Sequence, residues 1–122
     1  MTEDRAVKEA LAQTWRNALQ NIDLFLEATE PKCPVWHSTD NVFVPVEEAV
    51  KAVYERSDGK VPDFQYVGHT ITEKGFFLQA NVVLEYGEQP MKLHLVQIVE
   101  VGPNGKAVKV QEYIGPEMDI QP

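Results

Sequence analysis

One histidine of this sequence lies where an apolar segment meets a polar one. His37 follows Pro34-Val35-Trp36 and precedes the polar run 38–41. An imidazole titrates near neutrality, so it can take up and release a proton under physiological conditions. His37 is therefore a candidate acid/base group. The alternative is that it caps a turn or bonds to the backbone at the start of the loop.

Two further polar side chains interrupt segments that are otherwise apolar. Gln97 lies within LHLVQIVEV (93–101), and Glu112 lies within AVKVQEYI (107–114). Burying an amide costs free energy unless it is paired. Gln97 is therefore expected to serve a ligand, or to bond to Glu112 or to a second subunit. Glu112 becomes a solvated residue instead if the strand register shifts by one position.

The remaining candidate groups predict neither a metal site nor a cofactor. The three histidines of the chain are scattered and have no cysteine or carboxylate at metal-ligand spacing. No Ser-His-Asp arrangement, phosphate loop or dinucleotide fingerprint is present. We therefore expect any chemistry here to proceed without a cofactor.

Composition limits the classes of partner. The chain has 122 residues, which fits one domain spanning 1–122, with 43% hydrophobic and 25% charged residues. A net charge of −8 argues against nucleic acid and against anionic membranes. No apolar run approaches the ~20 residues of a membrane span. The acidic N-terminal segment is unlike a signal peptide, so a cytoplasmic protein is expected. The single cysteine, Cys33, cannot form an internal disulfide and is expected to be buried.

Helices are predicted for the first half of the chain. Apolar residues recur at spacings of three and four up to Ile22, which predicts a first helix, and a shorter helix is expected over Asp23–Thr29. Pro45 is expected to open a third helix, whose apolar stripe ends at Val53 and Tyr54.

Strands are predicted for the second half, in four segments separated by short turns. They are Phe64–Thr72, Phe76–Tyr86, Met91–Val101 and Ala107–Ile114. This order predicts an antiparallel meander in an α+β domain. If 102–105 forms the last turn, Gln97 pairs with Val110 and Leu95 pairs with Glu112.

The last two strands are apolar on both faces, which indicates a homodimer built through the sheet face that is turned away from the helices.

Two segments carry a resemblance to a known family. GPNGKAVKVQEYIGPEMDI (102–120) resembles the last hairpin and C-terminal strand of ketosteroid isomerases, and EEAVKAVY (47–54) resembles their third helix. Together with the order of elements, the sequence is similar to the nuclear transport factor 2-like superfamily, which includes SnoaL-like polyketide cyclases. The resemblance implies a cone-shaped α+β fold, with three N-terminal helices packed on a curved antiparallel sheet and a short strand between the second and third helices.

The resemblance also implies roles for individual residues. His37 matches the position of the family's general base, which is an aspartate there. Trp15 and Gln97 match the positions of its two donors to the ligand oxygen, a tyrosine and a protonated aspartate. The remaining residues expected to contact a ligand are Phe43, Tyr54, Val82, Leu84, Leu95, Val110, Glu112 and Ile114.

The implied function is acid/base chemistry on a small, mostly apolar carbonyl compound. Isomerisation, aldol-type cyclisation and dehydration all fit such a site. Because an indole and an amide stand in place of the family's donors, steroid isomerisation itself is not specifically predicted. The alternative is a non-catalytic module of the same fold that binds a small ligand or dimerises without turnover.

Overall fold

A computed structural model of the chain describes residues 2–57, 59, 62–86 and 89–118. It has three helices and one six-stranded sheet. The elements in chain order are α1 (Thr2–Ala18), α2 (Leu24–Ala28), β1 (Pro34–His37), β2 (Val42–Pro45), α3 (Val46–Arg56), β3 (Phe64–Ile71), β4 (Gly75–Tyr86), β5 (Gln89–Val101) and β6 (Ala107–Pro116). The predicted α+β class is confirmed, and none of the helices described here is long and apolar enough to cross a membrane.

The sheet is mixed rather than purely antiparallel, which corrects the prediction. Its strand order is β2-β1-β6-β5-β4-β3, and β1 runs parallel to β6 while all other neighbours are antiparallel. The predicted meander of β3 to β6 is present. The parallel pair arises because the chain enters the sheet at β1 long before it forms β6, so the two strands are joined by most of the domain rather than by a hairpin.

The strand β2 was not predicted, and its presence changes the place of the third helix. The polar run 38–41 is the loop of a β1–β2 hairpin, and Pro45 is both the last residue of β2 and the N-cap of α3. A proline fits there because its fixed φ of −62° suits an extended strand end and its missing N–H is not needed at a helix start. Helix α3 therefore follows two strands, whereas the resemblance implied one short strand between the second and third helices.

The core lies between the helices and one face of the sheet, which we call the inner face. Alternate residues of β4 point to this face and are almost fully buried: Phe76, Leu78, Ala80 and Val82. They meet the apolar stripe of α1, which includes Leu11, Trp15 and Leu19.

Cys33 is also buried, and burial raises the pKa of its thiol to about 11. At neutral pH it is a protonated, apolar core group.

A buried lysine anchors α1 to the sheet. The Lys8 ammonium donates to the backbone carbonyls of Thr72 (2.9 Å) and Glu73 (2.6 Å) in the turn between β3 and β4. It also lies 2.7 Å from the carboxylate of Asp4, whose pKa it lowers. This side chain satisfies its charge entirely with polar groups, as burial of an ammonium requires. The contacts fix the position of α1 along the sheet, and with it the position of Trp15.

Candidate functional site

A cavity of about 560 Å³ lies between the inner face of the sheet and the three helices. Its wall is mainly apolar, with Phe25 from α2, Val50 and Val53 from α3, and Phe64 from β3. Eight of the predicted site residues line it: Trp15, His37, Val82, Leu84, Gln97, Val110, Glu112 and Ile114. A volume of this size suits a small organic ligand, since ligand pockets measure roughly 300–1,000 Å³.

Strand register places three polar side chains in one row across the cavity wall. His37 of β1 pairs with Glu112 of β6, and Glu112 pairs in turn with Gln97 of β5. Paired residues on neighbouring strands point to the same face, with side chains ~5 Å apart. The row therefore follows from the sheet itself and needs no unusual backbone conformation.

Trp15 extends this row from the helix side. Its indole Nε1–H donates to Oε1 of Gln97 at 2.7 Å, and Nε2 of Gln97 donates to Oε1 of Glu112 at 2.9 Å. An indole nitrogen can only donate, so the carbonyl end of the amide must face Trp15. The NH₂ end must then face the carboxylate. Edge contacts with Phe25 and Phe76, at 4.9 and 5.9 Å between ring centroids, hold the indole in place.

The far end of the row is a histidine beside a carboxylate. Nε2 of His37 lies 3.5 Å from Oε2 of Glu112, and the two side chains are 25% and 16% exposed. Both also line the cavity. This arrangement provides an imidazole that a carboxylate can orient, and the carboxylate is itself oriented by an amide. An imidazole next to a carboxylate is an arrangement that can transfer protons.

The polar loop after His37 fixes the end of β1 against β6. The backbone N–H of Ser38 donates to the carbonyl of Glu112 at 2.9 Å, and the N–H of Ile114 donates to Oγ of Ser38 at 3.0 Å. Asn41 closes the loop with a φ of 58°, a conformation that asparagine tolerates better than most residues. The turn is thus capped by its own polar residues, while the imidazole of His37 lies at the cavity.

Three predicted ligand contacts do not line this cavity. Phe43 is 48% exposed, because it pairs with Trp36 on the opposite face of the β1–β2 hairpin from His37. The hydroxyl of Tyr54 donates to Asp23 at 3.0 Å, and this bond raises the pKa of Tyr54. Leu95 points to the inner face but is packed in the core, where it is 3% exposed.

Several residues of the wall escaped sequence reasoning. Phe25 and Phe64 add aromatic surface, and the exposed charged residues Asp40, Glu48 and Arg56 contribute to the lining. The apolar stripe of α2 could have indicated Phe25, since the stripe of a short helix must face the core. Nothing in the spacing of Glu48 and Arg56 distinguishes them from other surface residues of α3.

No metal site accompanies the cavity within the described part of the chain. Among residues 2–57, 59, 62–86 and 89–118, no three His, Cys, Asp or Glu side chains are grouped so that they could hold a metal ion. Trp15, Gln97 and Glu112 are hydrogen-bonded in sequence, and His37 lies beside Glu112. The arrangement is suited to proton transfer and hydrogen bonding by side chains.

The fold is shared with proteins of known structure. A protein from Burkholderia xenovorans described as NTF-2 like and of unknown function superimposes with a TM-score of 0.71 and 10% identity, over 96% of this chain and 89% of that one. A protein from Shewanella denitrificans described as a SnoaL-like polyketide cyclase gives 0.69 and 12%, over 89% and 90%. A steroid delta-isomerase from Pseudomonas aeruginosa gives 0.68 and 13%, over 91% and 81%.

These likenesses lie in three-dimensional structure. Neither a protein-family model nor a curated protein matches the sequence. At identities of 10–13%, superposition over most of both chains establishes the fold and leaves the activity open. The chain therefore has the nuclear transport factor 2-like fold, the fold of SnoaL-like and ketosteroid isomerase-like proteins.

Proposed function

We propose that the cavity binds a small, mostly apolar carbonyl compound and that His37, with Glu112, transfers protons to and from it without a cofactor. The observation that supports this most strongly is the row Trp15–Gln97–Glu112–His37, a continuous set of polar groups on one wall of an apolar cavity. Convergent polar groups in a mainly apolar pocket are the usual signature of a site that orients a ligand. We expect the sheet to curve around this cavity into a cone.

The geometry suggests a division of roles within the row. We assign proton transfer to the imidazole of His37 and its orientation to the carboxylate of Glu112. The only N–H of the Trp15 side chain is already given to Gln97, so Trp15 positions the amide rather than donating to the ligand. The Gln97 amide carries two N–H groups, of which one donates to Glu112; we assign the second to the ligand oxygen.

This assignment fits several reactions that share one step. Removing a proton from the carbon beside a carbonyl creates negative charge on the carbonyl oxygen, which a donor such as Gln97 would stabilise. Returning the proton at another carbon gives isomerisation, while loss of a hydroxyl group gives dehydration. Attack of the enolate on a second carbonyl gives an aldol-type cyclisation. Two structural neighbours are described as a polyketide cyclase and a steroid isomerase, which agrees with this range.

A second candidate function is ligand binding without turnover. It is favoured by the 3.5 Å distance between His37 and Glu112, which is longer than a hydrogen bond. In this alternative the row only fixes the orientation of a bound molecule. The same cavity and the same class of ligand are involved, so the two functions differ in the fate of the ligand alone.

We also propose that the protein is a homodimer through the outer face of the sheet, the face turned away from the helices. Large apolar side chains are exposed there, including Phe77 of β4 and Tyr113 of β6. The rings of Tyr113 and Trp36 make a tilted contact, with 5.0 Å between centroids, which extends this surface to β1. Apolar surface of this kind on a sheet favours contact with a second protein surface.

Exchange of ligand protons with solvent tests the catalytic proposal without knowledge of the substrate. Small apolar ketones would be incubated with the protein in D₂O, and loss of the proton signals next to the carbonyl followed by NMR. We expect exchange to be accelerated for at least one ketone, and to fall by about 10²-fold or more in His37→Gln, since a positioned acid/base group contributes roughly 10²–10⁴. Glu112→Gln should lower it as well.

The control variant is His94→Gln. His94 also lies beside a carboxylate, with Nε2 3.3 Å from Glu117, but on the outer face of the sheet. Its loss should leave exchange unchanged. Ketones that bind, as seen by ligand-observed NMR, but do not exchange would favour the binding module. An absence of both binding and exchange across the panel would contradict both functions.

A further inference from the structure

A second chain of polar groups lies outside the cavity, between α1 and the edge strand β3. The hydroxyl of Tyr66 lies 2.6 Å from Nδ1 of His69, and Nε2 of His69 lies 2.9 Å from Oε2 of Glu9. None of these three residues lines the cavity that contains His37. A hydroxyl, an imidazole and a carboxylate in this order form the arrangement that activates a nucleophile.

A β-bulge brings the tyrosine and the histidine together. Residues three apart in a regular strand point to opposite faces. The pairing of β3 with β4 shifts between Tyr66 and Gly68, so Val67 is an extra residue that has no partner. Its side chain is exposed, and both Tyr66 and His69 consequently point toward α1 and Glu9. Bulges of this kind commonly re-aim a side chain at a functional site.

The hydrogen bonds determine which group donates the proton. An ionised carboxylate can only accept, so Nε2 of His69 donates to Glu9. In a neutral imidazole the other nitrogen, Nδ1, is then an acceptor. With His69 in this neutral form, the hydroxyl of Tyr66 donates to Nδ1. His69 is placed as a base for the phenol, and Glu9 holds the ring in the tautomer that this requires.

Two arginines border the cluster. The guanidinium of Arg16 lies 4.2 Å from the centroid of the Tyr66 ring. A second arginine, Arg5, lies 3.7 Å from the carboxylate of Glu9. The side chains of His69 and Glu9 are 24% and 44% exposed, so solvent and small molecules can reach the cluster.

We propose that Tyr66 is a nucleophile that accepts an acyl group from small activated esters or thioesters. The oxygen of Tyr66 attacks the acyl carbon while its proton passes to Nδ1 of His69. The bond from the acyl carbon to the leaving oxygen or sulfur then breaks. The leaving group keeps the electron pair and takes the proton from His69. The product is an aryl ester on Tyr66, and water can cleave it with His69 again acting as base.

The test compares tyrosines within one unmodified protein. The full chain would be treated briefly with p-nitrophenyl acetate, and acetylation of each tyrosine measured by peptide mass spectrometry. We expect Tyr66 to react about 10²-fold faster than Tyr113, which is 47% exposed and whose ring contacts Trp36 at a tilt. Tyr54 should be slower than Tyr113, because its bond to Asp23 raises its pKa.

Two variants separate activation from simple accessibility. His69→Gln should reduce acetylation of Tyr66 to the rate of Tyr113, and Glu9→Gln should give an intermediate rate. His94→Gln, which alters a histidine on the outer face of the sheet, should have no effect. If Tyr66 in the wild-type protein reacts no faster than Tyr113, the proposal is wrong whether or not the variants fold. It is equally wrong if a folded His69→Gln variant reacts at the wild-type rate.

Discussion

Gln97 determines the direction of the hydrogen bonds in the polar row. Its carbonyl accepts from Trp15 and its NH₂ group donates to Glu112, so the carboxylate is approached by a donor on the side away from His37. No buried side-chain nitrogen or oxygen among the described residues lacks a hydrogen-bond partner. The amide is therefore part of a fully paired network, in which removal of one member leaves its neighbours unsatisfied.

This pairing predicts a measurable cost for losing the amide. Gln97→Leu keeps the approximate volume but leaves the indole N–H of Trp15 and one oxygen of Glu112 without their partner. We expect the free energy of unfolding to fall by about 1–3 kcal/mol. Urea denaturation would measure it. Gln79→Leu, an exposed glutamine on the neighbouring strand β4, is the control and should change stability by no more than about 0.5 kcal/mol.

A double-mutant cycle checks that the two groups act together. Trp15→Phe removes the indole N–H that the Gln97→Leu substitution leaves unpaired. The cost of Trp15→Phe combined with Gln97→Leu should therefore be smaller than the sum of the single costs. Additive costs, or a Gln97→Leu variant as stable as the wild type, would show that the bond between the two side chains contributes nothing.

Sequence reasoning identified the polar members of the row but not how they are joined. His37, Gln97 and Glu112 stood out because each is a polar side chain in or beside an apolar strand. The bond from Trp15 to Gln97 links residues 82 positions apart, which only the packing of α1 on the sheet determines. Phe43 was misplaced for a related reason. Its orientation follows from the hairpin of β1 and β2, and β2 was not predicted.

At the scale of elements, the hairpin of β5 and β6 shows a difference between two kinds of prediction. The face of the sheet to which a side chain points is easier to predict than the residue with which it pairs on the neighbouring strand. The sequence suggested Gln97 opposite Val110, but the structure pairs Gln97 with Glu112 and Val99 with Val110. The turn extends to Lys106, whose carbonyl accepts from Gly102, and an irregularity follows at Val101. Together they shift the register by two residues. Side chains alternate with a period of two, so each keeps its predicted face.

The outer face of the sheet gives a prediction at the same scale. If it forms a homodimer, sedimentation at micromolar concentration should show a dimer. Replacing Phe77 with lysine should weaken association roughly tenfold or more, since one buried apolar side chain contributes at least ~1.4 kcal/mol. Leu26→Lys, which alters an equally exposed apolar residue of α2, should not weaken it. A monomeric wild-type protein would contradict the dimer.

At the scale of the whole molecule, the proposed function depends on a cavity that the fold leaves open between the helices and the sheet. Helices α1 to α3 cover the inner face at Trp15, Phe25 and Val50, yet about 560 Å³ remains between them and the sheet. Protein interiors are normally filled at the density of organic crystals. The size and apolar wall of this cavity, and the row of polar groups at one side, therefore support the proposed ligand site.

A crystal structure of the protein soaked with a small apolar ketone tests this account most directly. We expect the ketone inside the cavity, with its oxygen within hydrogen-bond distance, about 2.6–3.2 Å, of His37, Glu112 or the amide of Gln97. A cavity filled by the protein's own side chains would contradict the account. So would a structure in which His37 and Gln97 point to solvent, or in which the ketone binds with its oxygen away from the row.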